Sequence, residues 1–263
     1  MATVVITGST RGIGLGMAKE FRRLGHDVMI SSRGQAAVEK AVAEVSAAPG
    51  SGKVQGQPCD VSQRDQVQAL WDGAAQAFGK VDVWINNAGL TGPKRNVSQL
   101  SDAEIQLVLD TNIWGMIFGT QIPLAGMEAQ GSGKIFNFEG FGSDGMTAPG
   151  LSIYGLTKRA LTYFTKSVNK EIKGSPVLLG TISPGIVVTD LLEESKDPDP
   201  AVWEKTKKLY NILADRVETV VPYLVAEVLK ADKPGAAIKW LTTPKAAWRF
   251  MSAGVTKRKV MPD

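Results

Sequence analysis

The sequence predicts an α/β fold, a doubly wound, mostly parallel sheet of seven strands with helices on both faces. Three observations carry this. Short apolar runs alternate with amphipathic stretches of helical length along the whole chain, the pattern of strand–helix–strand units. Several runs are almost continuously apolar, Val177-Leu178-Leu179 among them, as in strands buried on both faces of a parallel sheet. Glycines crowd the junction between the first run and the first amphipathic stretch.

The strands expected in order are Thr3–Thr7, Asp27–Ser31, Lys53–Gln57, Val81–Asn86, Lys134–Phe138, Val177–Ser183 and Ala237–Leu241. Between them, apolar residues recur at helical spacing over Ile13–Leu24, Ala36–Ala47, Arg64–Phe78, Asp102–Gln130, Ile153–Ile172 and Val217–Lys230. The small Gly/Ser/Pro patch at Ala47–Gly52 reads as a surface turn, and the polar, Pro-rich Glu193–Pro200 as a loop. No internal repeat or long low-complexity linker divides the 263 residues, so one domain is expected over 1–263.

Composition removes several classes of function. One cysteine, Cys59, rules out an intrachain disulfide, and one histidine, His26, rules out a metal site of several histidines. Cys59 reads as a small buried hydrophobe, and His26, at the end of the first helix, as a structural cation on the helix dipole. The apolar runs fall short of the roughly 18 residues of a membrane span, and the chain enters its first strand directly. The expectation is a soluble or cytoplasmic protein with no targeting segment. The net charge is +4, yet from Lys230 onward eight Lys/Arg face two Asp. That basic excess reads as a solvated rim or subunit interface rather than a nucleic-acid site. The mixed apolar and basic tail, Trp240 to Arg258, leaves peripheral membrane contact as an alternative.

Thr7-Gly8-Ser9-Thr10-Arg11-Gly12-Ile13-Gly14 joins the first strand to the first helix. Glycines there permit a tight turn and close approach of backbone to a pyrophosphate, and the helix N-terminus offers free N–H groups and a favourable dipole. The second strand ends Ile30-Ser31-Ser32-Arg33. An acid at this place would bind a ribose 2′-hydroxyl, whereas Arg33 suits a 2′-phosphate, with Arg11 able to close on it from the other side. NADP(H) is therefore the expected cofactor. Two solvated surface arginines are the alternative.

The glycine loop, Asn86-Asn87-Ala88-Gly89, Asn112, Tyr154-Gly155-Leu156-Thr157-Lys158 and Ser183-Pro184-Gly185 together resemble the short-chain dehydrogenase/reductase family in order and spacing, over essentially the whole chain. The resemblance implies a Rossmann-type sheet and a homo-oligomer, dimer or tetramer. It implies cofactor contacts from Gly8, Ser9, Arg11, Gly12, Ile13, Gly14 and Arg33, and from Asp60 and Val61 at the adenine. Asn87, Ala88 and Gly89 would line the cofactor, and Pro184, Gly185, Val187 and Thr189 would meet its nicotinamide half. Tyr154 would carry the proton, Lys158 would hold the nicotinamide ribose and tune Tyr154, and Asn112 would hold a water of the proton relay. The chemistry is intelligible in itself. A free tyrosine titrates near ~10, and a lysine four residues on lies on the same helix face, where its charge favours tyrosinate.

One position departs from the family pattern. A serine is expected thirteen residues before the tyrosine, and Phe141 stands there; the nearest hydroxyl is Ser143. Glycines around it leave open whether Ser143 is brought to the substrate carbonyl or Glu139 supplies the polar group. The run Phe136-Asn137-Phe138-Glu139-Gly140-Phe141-Gly142-Ser143-Asp144-Gly145, with Tyr154 to Arg159 and Ser183 to Leu192, is similar to the chlorophyll(ide) b reductase branch. That resemblance implies reduction of a 7-formyl group to 7-hydroxymethyl on a tetrapyrrole. Two other readings stand beside it: a generic carbonyl or 3-oxoacyl reductase acting on another small molecule, and a non-catalytic NADPH-binding sensor. A substrate lid is expected around 190–215. Trp203, Tyr210, Leu191, Leu192, Phe141 and Met146 either line an apolar cleft or pack the lid, while Trp84 and Trp114 are expected in the core.

Overall fold

The computed structural model describes residues 1–190, 192, 199–256 and 258–261. Seven parallel strands form the central sheet: β1 (Thr3–Thr7), β2 (Asp27–Ser31), β3 (Val54–Gly56), β4 (Val83–Asn86), β5 (Gly133–Phe138), β6 (Val177–Ser183) and, on the far edge, Ala237–Lys239. Their order is β3-β2-β1-β4-β5-β6 followed by that edge strand. The order reverses direction between β1 and β4, where doubly wound sheets open a crevice at the carboxyl ends of their strands.

Alternation along β1 shows how the core is divided. Val4 and Ile6 point to one face, against α1 (Gly12–Arg23), α2 (Gln35–Ala47) and a helix at Val217–Lys230. Val5 points to the other, with Trp84, Leu70, Ile135 and Leu179. That face is covered by α3 (Arg64–Phe78), α5 (Gly115–Gln130) and α6 (Ser152–Glu171), with α4 (Asp102–Leu109) packed against α6. Both faces being apolar explains the near-continuous hydrophobic runs.

The expected helix Asp102–Gln130 is interrupted. Asp110–Trp114 forms one π turn between α4 and α5, an irregularity often found at functional sites. Asn112 lies in it, with both ends of its amide bonded to the backbone of Leu90. Trp114, expected in the core, is instead 47% exposed and stacks on Phe118 at 5.3 Å. Trp84 is fully buried and donates to Asn86 Oδ1 at 2.8 Å. Cys59 is buried, and burial pushes its thiol up to about 12. His26 is structural but not the cation expected. Its Nδ1 accepts the Ala2 N–H at 2.9 Å, and burial lowers its pKa.

Beyond β6 the expected helix and edge strand are joined by elements the sequence did not predict. A short parallel ladder pairs β7 (Val187–Val188) with β8 (Asp215–Arg216). Between them runs α7 (Pro200–Leu213), where Trp203 and Tyr210 meet edge to face at 6.1 Å. Asp199 caps α7, accepting from Ala201 N–H at 2.8 Å. The helix Val217–Lys230 is α8, the edge strand Ala237–Lys239 is β9, and α9 spans Thr243–Ser252. Within the expected lid, Leu191 and residues 193–198 lie outside the described residues.

Candidate active site

At the carboxyl ends of β1, β2 and β4 lies a cleft of about 490 Å³. It is lined by Gly8, Arg11, Gly12 and Ile13 of the glycine turn, by Arg33, Asp60 and Val61, and by Asn87, Ala88, Gly89 and Thr189. Eleven of the expected cofactor residues thus converge. Ser9 and Gly14 lie beneath. Ser9 Oγ donates to Ile6 O at 2.6 Å and accepts Ser31 N–H at 2.9 Å, tying the loop to β2. A Cβ on Gly14 would stand 2.6 Å from Gly8 O and from Asn87 Nδ2, so the helix can start this close to β4 only without a side chain. Pro184 and Gly185 sit between β6 and β7, and Val187 packs into the core instead of the cleft wall. Sequence reasoning missed Ser32, Leu90, Thr111 and Asp190 in the lining. Asp190 stands 3.7 Å from Arg11 across the cleft mouth.

Two observations fit a phosphate-bearing dinucleotide. The N-cap of α1, Arg11, makes no side-chain capping bond, and no acid occupies the first turn. The first N–H groups of the helix therefore face the cleft without a side-chain acceptor of their own. Gly8, at φ +64°, and Gly12, at φ +55°, hold the turn in the left-handed region, and a Cβ on Gly8 would meet the Ala88 Cα at 2.8 Å.

Beside this cleft, α6 presents Tyr154 and Lys158 on one face, as the four-residue spacing requires. Both are buried. Lys158 Nζ donates to Phe138 O at 2.9 Å and lies 5.7 Å from the Tyr154 ring centre. Asn112 Nδ2 also donates to Thr157 Oγ1 at 3.0 Å, joining the π turn to α6. Asn112 and Lys158 share the lining of a pocket of about 10 Å³ with Thr7 and Asn86, near the lower limit for one water. The expected lowering of Tyr154 by Lys158 is not what the structure gives. Burial pushes the Tyr154 hydroxyl up to about 12 and the Lys158 ammonium down to about 8, the latter partly offset by Glu139. Desolvation is the leading cause for both groups, and each is disfavoured in its charged form by burial.

Ser143 is buried with its hydroxyl engaged by backbone. Oγ accepts Gly140 N–H at 3.1 Å and donates to Lys158 O at 3.3 Å. Counting thirteen residues back from Tyr154 leads to Phe141, but the residue against the tyrosine hydroxyl is Gly140. Glu139 extends the β5 ladder through its N–H to Ile182 O at 2.8 Å.

The sheet order, the glycine turn at its switch point and the buried Tyr–Lys pair define a dinucleotide-binding oxidoreductase of the doubly wound α/β class. Residues 2–200 match the short chain dehydrogenase family, and the chain belongs to it. Among curated relatives it is 37% identical, over 95% of this chain and 74% of the other, to a protein of Oryza sativa subsp. japonica named Chlorophyll(ide) b reductase NOL, chloroplastic. It is 34% identical over 97% of its length to a second, longer protein of the same organism, named Probable chlorophyll(ide) b reductase NYC1, chloroplastic. The chain spans about half, 52%, of that relative. Among solved structures, levodione reductase superposes with a TM-score of 0.82 at 23% identity, covering 94% of this chain and 98% of the other, a likeness of fold. No helix among the described residues is long and apolar enough to cross a membrane.

Proposed function

We propose that the whole chain acts as one NADPH-dependent carbonyl reductase domain that converts the 7-formyl group of chlorophyll(ide) b to 7-hydroxymethyl. The observation that carries the substrate is the 37% identity, across 95% of this chain, with a protein named for that activity. Arg33 just past the end of β2, with Arg11 lining the same cleft, supports the 2′-phosphate of NADPH over the bare ribose of NADH. The adenine side would rest on Asp60 and Val61, the pyrophosphate on the α1 N-terminus and the loop from Gly8 to Gly14. The nicotinamide half would rest on Asn87 to Gly89, Thr189 and the Pro184–Gly185 turn.

When bound, NADPH supplies a hydride to the carbonyl carbon. The protein supplies the proton and the orientation. A tyrosine held near 12 keeps its proton at neutral pH, so Tyr154 is ready as the acid for reduction. Its proton passes to the carbonyl oxygen as charge develops there. Lys158 on the same face offsets the tyrosinate left behind, and Asn112 anchors the strand-end loop at Leu90 and lines the small pocket through which a proton returns. On the outer side, Leu156 and Tyr163 of α6 and Leu107 and Trp114 near the π turn are exposed, which supports a homo-oligomer built on this surface.

The test is incubation of purified protein with NADPH and chlorophyllide b, following absorbance and product mass. Gain of two hydrogens at the formyl group is expected. Inert chlorophyllide b beside rapid turnover of a 3-oxoacyl thioester would replace the substrate with the generic one.

A further inference from the structure

Gly140 has no conformational reason to be glycine. Gly142 and Gly145, in the same turn, adopt φ of +96° and +98°, where side chains are strained. Gly140 is not among the residues with positive φ. What distinguishes it is its neighbour. A Cβ added to Gly140 would fall against Tyr154 Oη, closer than real Cβ atoms approach, while lying 3.1 Å from Lys158 Cε and 3.2 Å from Tyr154 Cζ. Tyr154 is buried on its helix, so it has little room to retreat.

The turn carrying Gly140 is fixed to α6 by one residue. Ser143 Oγ accepts the Gly140 N–H, and the same hydroxyl donates to Lys158 O. Its N–H returns to Gly140 O at 3.1 Å, and its own carbonyl accepts from Thr162 Oγ1 at 3.0 Å and Arg159 Nη1 at 3.1 Å. A Cβ on Gly142 would stand 2.7 Å from Gly155 Cα, so the turn lies flush on the helix beside Tyr154.

The geometry points to Gly140 and Ser143 as positioning residues for Tyr154. Gly140 leaves the space in which the tyrosine hydroxyl stands, and Ser143 holds Gly140 there instead of binding the substrate carbonyl. This rests on the reading of Tyr154 as proton donor. A Cβ at 140 falls where Oη stands in this structure, so a side chain there and the hydroxyl compete for one space.

A thermal double-mutant cycle tests the contact without any assay of turnover. Gly140→Ala should lower Tm by about 4–8 °C with Tyr154 present. In the Tyr154→Phe background the same change should cost less than half as much, because the oxygen that meets the new methyl is gone. Equal losses in both backgrounds overturn the proposal, as does no loss in either. In the activity arm, Gly140→Ser should lower kcat by about 100-fold or more while NADPH affinity, read by fluorescence titration, stays within about threefold. A Gly140→Ser enzyme as active as wild type overturns it. Ser143→Ala should lose about three- to tenfold in kcat at unchanged NADPH affinity, and Ser143→Thr, which keeps Oγ, should recover most of it. A Ser143→Ala loss as large as that of Tyr154→Phe at unchanged Tm makes the hydroxyl a carbonyl ligand and overturns the positioning role. If wild type reduces no aldehyde at all, the functional reading fails, and the thermal cycle still decides this one.

Discussion

The cleft and the C-terminal end of the molecule are held together by different physics. Where β1 and β4 open into the cleft, the bonds of Thr7 and Asn87 are neutral and aimed at backbone. Thr7 Oγ1 accepts the Asn87 and Ala88 N–H groups at 3.1 Å, and Asn87 Nδ2 donates to Thr7 O and Gly8 O at 3.0 and 2.9 Å. At the other end one carboxylate gathers three long side chains. Asp215, 5% exposed at its side chain, takes Arg249 at 2.8 Å, Arg258 at 2.6 Å and Trp240 Nε1–H at 2.6 Å. Arg249 and Arg258 also donate to Leu213 O and Ala214 O at 2.8 Å, closing the tail over the end of α7. Backbone-directed neutral bonds tolerate the coming and going of a charged ligand. A buried ionic hub fixes a segment, and its worth depends on every partner remaining.

Substitutions at the two ends should therefore separate function from stability. The largest effect belongs to the cleft. Tyr154→Phe should lower kcat by about 10²–10⁴-fold, with Tm and NADPH affinity near wild type, since only one buried hydroxyl is lost. Single-turnover kinetics beside a melting curve check both halves, and retained turnover would transfer the proton to another group. The next belongs to the hub. Asp215→Ala strands two guanidinium groups and should cost about 3–5 kcal/mol of stability, read by denaturant midpoint. If it costs no more than an exposed carboxylate, the contrast between the two ends collapses. Smaller again is Arg33→Asp, which should shift the NADPH-to-NADH preference by about 10–100-fold through loss of a bidentate phosphate contact. Titration with both cofactors measures it, and Tm should not move.

The contrast also explains which parts of the molecule could be read in advance. β1, β2, β6, α3 and α8 match their expected bounds, because periodicity and β-branched runs are local signals. The glycine loop was legible because backbone geometry there excludes most residue types. α7, α9 and the β7–β8 ladder were not, because Asp215 has no meaning until Arg249 and Arg258, 34 and 43 residues on, fold back to it. Trp114 misled because a helical period says which residues share a face, not whether a second layer covers that face. Gly140 was hidden by counting. Alignment on Tyr154 pointed at Phe141, yet the strand end, not the tyrosine, fixes which residue faces the hydroxyl. The protonation of the pair was misread for a related reason. The spacing shows that Tyr154 and Lys158 are neighbours, but the desolvation that pushes them up and down respectively comes from residues all around.

Lys158 offers the finest test of how the cleft carries charge. Burial brings its ammonium down to about 8 from the usual 10.5. Between those values the unfolded chain holds a proton that the folded protein has released, so this group makes stability rise with pH across about 8 to 10.5. Below about 8 both states are charged, and the folded state bears the full desolvation cost. Tyr154 works in the opposite sense and higher, between 10 and about 12, where the folded protein keeps a proton the unfolded chain has lost. Lys158→Met removes the first contribution and leaves the second, at the cost of one unpaired carbonyl at Phe138. In the cofactor-free protein the variant should thus melt above wild type at pH 7, and the gap should close as pH approaches 10. Differential scanning calorimetry of both proteins from pH 7 to 10 gives the curve, and subtraction cancels the groups they share. A gap that does not narrow means that Lys158 sits in the folded protein with its ordinary affinity for the proton, and that the cleft, like the Asp215 hub, is an ionic assembly after all.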